Sequence, residues 1–279
     1  MRARLFKEAL LLSFAALAGA GQTLKLGKPV ISQVEDGPAI TAGQRPVPGE
    51  TVHFAVTVEG FKAVEGKLRI TGHAQLFDSR GIAASAPEEV AIGTSLYEED
   101  KEYKPKIRAE FPLPAIAPGG TWHVRYDAED LQNGQKQSGD APFPVEGHGT
   151  APAAALEIRG FGFYRSQSDE MPLGTVAYRA GDIVWVRFDI TGYKYGEQNA
   201  IDVAYDVAVS NSEGRVLFEQ TDAANEKSQA FYPQPWVPGE FNLSLQSTMS
   251  RGTYTVTITA RDGIGSGQTA KESAQFHVQ

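Results

Sequence analysis

Few residues in this chain are placed to do covalent chemistry. There is no cysteine. A serine nucleophile needs a positioned histidine and a Gly-x-Ser-x-Gly elbow between a strand and a helix. Gly263-Ile264-Gly265-Ser266-Gly267 matches that spacing only superficially, because it lies between two strand-like runs, where a flexible hairpin loop is expected. Gly160-Phe161-Gly162 opens no helix and so offers no phosphate cradle. Metal binding needs three or four converging ligands. His73 and His123 both point away from the core by strand parity, but no third ligand is evident beside them. Glu98-Glu99-Asp100 lacks the alternating ligands of a calcium loop and reads as a solvated charge run. The sequence therefore assigns no catalytic residue, no metal and no cofactor.

Aromatic side chains are the stronger candidates, and the chemistry they offer is binding. Phe231-Tyr232-Pro233-Gln234-Pro235-Trp236 places three rings among two prolines, Tyr193 and Tyr195 flank another loop, and Trp185 faces outward by parity. Exposed rings beside prolines can form a rigid platform that stacks on sugar rings or on a peptide. The competing expectation is structural. Phe231 and Trp236 would cap the end of their folded unit, and Trp185 would pack against a linker. Aromatic side chains bury more often than they bind, which favours the structural role.

The elements that must position these residues are strands. Val184, Val186, Phe188 and Ile190 alternate with Trp185, Arg187 and Asp189; Ile201 to Val209 and Tyr254 to Ala260 alternate in the same way. Val52 to Val58 and Trp122 to Tyr126 repeat the pattern earlier in the chain. A period of two marks antiparallel strands with one face on a core and the other in water. Turn signals such as Asp78-Ser79-Arg80-Gly81, Asn133-Gly134, Asn211-Ser212-Glu213-Gly214 and Asp262-Gly263 separate the runs.

The pattern occurs twice. Pro48-Gly49-Glu50-Thr51-Val52-His53-Phe54 aligns with Ala180-Gly181-Asp182-Ile183-Val184-Trp185-Val186, and Gly120-Thr121-Trp122-His123-Val124 with Gly252-Thr253-Tyr254-Thr255-Val256, both at an offset of 132 positions. A constant offset over so long a stretch means two tandem copies of one folding unit. The expected division is a leader at 1–20, one sandwich at 21–147, a short Pro/Gly-containing linker at 148–155 and a second sandwich at 156–279. The fold class is all-β, with two tandem antiparallel β-sandwiches.

Those strands carry a resemblance. Pro48 to Phe54 and Ala180 to Val186 look like the second strand of immunoglobulin-like sandwiches. Arg251-Gly252-Thr253-Tyr254-Thr255-Val256-Thr257-Ile258-Thr259-Ala260-Arg261-Asp262-Gly263 resembles the penultimate strand of bacterial Ig-like domains of the PKD and fibronectin-III type. The resemblance implies an aromatic at the corner entering that strand and an Asp closing the next turn. It implies spacer, adhesion or binding modules and no catalytic residues.

Arg2, Arg4 and Lys7, the apolar run Ala9 to Ala18 and Ala18-Gly19-Ala20 read as a secretory signal peptide, its apolar part too short to span a bilayer. The net charge is −8, and loss of the leader makes it more negative. That argues against nucleic acid or anionic lipid as the main partner. No second apolar stretch suggests membrane insertion. The expected protein is exported to the periplasm or outside the cell, is not an enzyme, and serves in interaction or as a structural spacer with a protein partner. The alternative is a carbohydrate-binding module with a polysaccharide partner, using a platform around Trp236. Exposure of that ring would support the alternative, and burial would remove it.

Overall fold

A computed structural model describes residues 23–41, 43–100, 102–149 and 151–279. The signal-peptide reading falls outside them. The alternating runs form strands, and the strands fall into two sandwiches. In unit 1, β1 (Lys25–Leu26), β2 (Val30–Ser32) and β6 (Lys106–Pro112) all pair with β3 (Thr51–Glu59). Facing them is a sheet of order β5-β4-β7-β8, made of β4 (Lys67–Phe77), β5 (Glu88–Ser95), β7 (Gly120–Asp130) and β8 (Gln135–Val145). Unit 2 repeats the plan. β9 (Glu157–Tyr164), β11 (Ile183–Thr191) and β14 (Trp236–Ser244) form one sheet. The other has the order β10-β16-β15-β12-β13, from β10 (Ala177–Tyr178), β12 (Ile201–Asn211), β13 (Val216–Ser228), β15 (Gly252–Asp262) and β16 (Thr269–Val278).

Each unit has its own core. Val52, Phe54, Val56, Val58, Leu76, Trp122 and Phe143 bury in unit 1, and Val184, Val186, Phe188, Ile190, Ile258 and Phe276 in unit 2. The two cores fill the same space differently. Val56, Ile107 and Gly72 of unit 1 are replaced by Phe188, Gly239 and Tyr205 at corresponding register positions. A Cβ on Gly72 would strike Ile107, and one on Gly239 would strike the Phe188 ring. The aromatic pair Phe188–Tyr205, edge to face at 5.0 Å, thus occupies volume that Ile107 fills in unit 1.

Polar anchors recur as well. Asp130 and Asp262 are fully buried at the ends of β7 and β15. Asp130 accepts hydrogen bonds from the backbone amides of Lys62 (2.6 Å) and Gln132 (2.9 Å). Asp262 accepts from those of Lys194 (2.8 Å), Ile264 and Gly265 (2.9 Å each). Each carboxylate ties its turn to the loop leaving β3 or β11, satisfying amides that burial would otherwise orphan. The corner aromatic is Tyr254 in unit 2, whose hydroxyl donates to the Ser250 carbonyl at 2.8 Å. In unit 1 the indole N–H of Trp122 donates to the Pro118 carbonyl at 3.0 Å instead.

Candidate functional site

The aromatic segment from Phe231 to Trp236 crosses between the sheets of unit 2, at the end that meets unit 1. Three polar contacts pin its backbone. The hydroxyls of Tyr193 and Tyr195 both donate to the Gln234 carbonyl, at 2.5 and 2.6 Å, and Thr191 Oγ1 donates to the Pro235 carbonyl at 2.9 Å. The two tyrosine rings meet edge to face at 5.6 Å. Burial, with the neighbouring Tyr195 next, drives the Tyr193 phenol far above its ordinary range.

Pinned in this way, the segment pushes Tyr232 into unit 1. Its ring joins the unit 1 core and lies 6.2 Å from the Trp122 ring. Its hydroxyl donates to Asp78 Oδ2 at 2.9 Å and accepts from Arg80 Nη2 at 3.1 Å. Asp78 is fully buried, and its other oxygen accepts the backbone amides of Arg80 (2.8 Å) and Ile82 (2.9 Å). Arg80 also pairs directly with Asp78 at 2.7 Å. Burial, the largest single influence, lowers the Arg80 pKa, but the hydrogen bonds to Asp78 and Tyr232 and the charges of both groups together outweigh it, and the net shift is upward. Burial first, then the Asp78 charge, raises the Tyr232 phenol well beyond the usual tyrosine range. The group is a closed charge-assisted network in which every member has a partner.

A second set of contacts closes the junction from the linker side. His148 Nε2 lies 2.9 Å from Asp189 Oδ2 on β11, and its ring stands edge-on to Trp236 at 4.8 Å. The Ala153 amide donates to Thr191 Oγ1 at 3.2 Å, and Arg159 Nη1 donates to the Ala151 carbonyl at 2.7 Å. Asp189 and Thr191 lie on the outer side of β11 by alternation, yet both are buried because this segment covers them.

The six aromatics picked out in the sequence therefore have different surroundings. Trp236 is 2% exposed and Tyr232 8%, and Tyr193 is buried with them. Tyr195 remains partly open but spends its hydroxyl on Gln234. Phe231 is 59% exposed. Trp185 is half-buried on the outer face of β11, paired in register with Tyr164 and Asn242. A stacking platform centred on Trp236 is thus corrected: that indole shows no face to solvent, because His148 and the linker cover the side of the sheet on which it stands. The histidines raised as ligands are each paired with an aspartate, His73 with Asp127 at 3.0 Å and His123 with Asp140 at 2.7 Å. His123 stands opposite Phe77 in the β4–β7 register rather than opposite His73. Among the described residues no group of three or more His, Cys, Asp or Glu side chains could hold a metal, and no helix is long and apolar enough to cross a membrane.

Sequence reasoning missed the unit 1 half of this site. Asp78 and Arg80 read as an ordinary turn, Trp122 as a core residue and His148 as linker. No local signal marks a turn that will receive a ring from the next unit.

No protein-family model matches the chain, and no curated protein matches it. Among solved structures it is similar to the C-terminal domain of the Streptococcus pyogenes antigen I/II-family protein AspA, at 11% identity over 90% of this chain and 99% of that one, with a TM-score of 0.28. It is similar also to a tetra-tandem repeat in the extending region of a large adhesion protein (16% identity, 91% of this chain, 50% of that one, TM-score 0.26). A third is the transglutaminase of red sea bream (9% identity, 92% of this chain, TM-score 0.27), of which the chain spans 31%. These likenesses are distant, and none bears on what this chain binds.

Proposed function

We propose that this chain is an exported, non-enzymatic interaction or spacer protein, in which two Ig-like units, 21–147 and 156–279, are locked end to end and present their outer faces to a protein partner at the cell envelope. The observation that carries the reading is the insertion of Tyr232 into the unit 1 core, with its hydroxyl on Asp78. Rings considered for a ligand platform instead hold two sandwiches at a set angle. The strongly raised phenols Tyr193 and Tyr232 are committed to Gln234 and Asp78 and so are explained by packing. An enzyme would call for such groups converging on an open cleft.

The test is capture from cell-envelope extract on immobilised residues 21–279, followed by rebinding of the purified partner. A protein that rebinds in purified form supports the reading. Captured polysaccharide in its place, or consumption of a substrate, overturns it.

A further inference from the structure

The end of unit 1 opposite the junction carries an open counterpart of the junction's own loops. β4 runs from this end, at Lys67, to the Asp78 turn at the other. The loop after β3 and the segment crossing from β5 to β6 correspond to the loops of Tyr193–Tyr195 and Phe231–Trp236 in unit 2, at the repeat offset of 132 (Phe61 to Tyr193, Lys104 to Trp236). In unit 1 they enclose a cleft of about 530 Å³ lined by Phe61, Tyr97 and Tyr103 together with Glu59, Asp100 and Glu102. Lys104 also lines it and pairs with Glu59 at 2.7 Å. Tyr97 is 69% exposed and Tyr103 43%. The volume is in the range of small-ligand sites, and among the described residues its lining carries three carboxylates and one ammonium.

We propose that this cleft binds an arginine-bearing basic segment of the partner. Aromatic faces beside carboxylates are the chemistry that recognises a guanidinium, through cation–π attraction and charge pairing. The corresponding loops of unit 2 already receive a guanidinium, since Arg80 donates to the Tyr232 hydroxyl at 3.1 Å while pairing with Asp78 of its own turn. Elsewhere in unit 2, Arg187 stands over the Tyr164 ring at 4.5 Å. The proposal rests on the interaction-protein reading and names the chemistry of the partner. Its failure would leave the envelope-capture result standing, so the two can be told apart.

The probe is an acetylated tetra-arginine peptide, titrated calorimetrically into residues 21–279 at physiological salt. Saturable binding of one peptide per chain is expected, weakened about tenfold in Tyr97→Ala/Tyr103→Ala. That double variant leaves the charge unaltered and, because both rings are exposed, should keep the parent's melting temperature. Glu59→Gln/Glu102→Gln should weaken binding and flatten its salt dependence. Glu213→Gln/Glu219→Gln, the same charge change on exposed residues of unit 2, should leave it unchanged. Equal loss in the two glutamate pairs would reduce the effect to the protein's overall acidity and overturn the site. Unaltered affinity in the folded double tyrosine variant would do the same. So would saturable binding of cellohexaose that disappears with Tyr97 and Tyr103, which would make the cleft a sugar platform.

Discussion

The hydroxyl of Tyr232 in unit 2 donates a 2.9 Å hydrogen bond to the buried carboxylate of Asp78 in unit 1. The bond joins residues 154 positions apart, so it forms only when two separately built sandwiches meet. Tyr232→Phe keeps the ring and deletes the bond. Asp78 retains Arg80 and two amides, so the expected loss is about 1–2 kcal/mol. Tyr232→Ala also empties ring volume from the unit 1 core and should cost about 3–5 kcal/mol. Urea unfolding of parent and variants measures both, and the signature of a junction defect is that unit 1 unfolds earlier.

Asp130 and Asp262 hold equivalent turns by accepting backbone amides, so the two units should respond alike to the same change. Asp130→Asn and Asp262→Asn each replace a charge-assisted acceptor with an amide that offers one oxygen, at an expected cost of about 2–3 kcal/mol. Amide hydrogen exchange should show faster opening at Lys62 in the first variant and at Lys194 in the second, each confined to its own unit.

Stability should fall at both ends of the pH scale for different reasons. Hydrogen bonds from Lys106 and Arg108 lower the pKa of Asp36, and one from the Ser166 hydroxyl lowers that of Asp169. A depressed folded pKa means that the contribution is present above the unfolded value and is lost as pH falls through the folded one, below about pH 4. Burial raises Tyr178 to about 12 and pushes Tyr193 and Tyr232 higher still. A raised folded pKa means that the native chain holds protons the unfolded chain releases. Stability is then intact below about pH 10 and declines as pH rises above it. Phenolate absorbance should show that the buried rings of Tyr178, Tyr193 and Tyr232 ionise only as the chain unfolds.

The two cores offer a test of packing complementarity. Gly239→Ala drives a methyl group into the Phe188 ring, and an expected cost of about 1–3 kcal/mol follows from overpacking. Importing the whole unit 1 set with Phe188→Val/Tyr205→Gly/Gly239→Ile should be less damaging than the sum of the three single changes. Comparing that triple variant with the singles in denaturant measures the coupling.

What could be read from sequence was the part that each unit decides for itself. Alternation at Val184 to Ile190 placed those side chains in a core, and the matched Gly49 and Gly181 announced a repeat. Asp262 was legible as a turn-closing residue through the family resemblance, and Asp130 shows the same geometry in the other unit. Parity at Asp189 gave the correct side of the strand. It could not show that the linker would cover that side, because alternation describes a residue's relation to its own sheet only. Burial of Trp236 was the favoured expectation, but its contact with His148 of the linker was not legible for the same reason. The cleft of Tyr97 and Tyr103 was likewise invisible, as a solvated acidic run and an isolated tyrosine carry no sign of the concavity they share.

The central claim is that the junction fixes one unit against the other. Because the chain has no cysteine, spin labels can be placed uniquely at Thr94→Cys on β5 and Gln275→Cys on β16, both exposed. Their distance distribution by pulsed electron resonance reports the inter-unit angle directly. The account predicts one narrow distribution in the parent and a broad one in Tyr232→Ala. A broad distribution in the parent, or a narrow one unchanged by the loss of Tyr232, would contradict it.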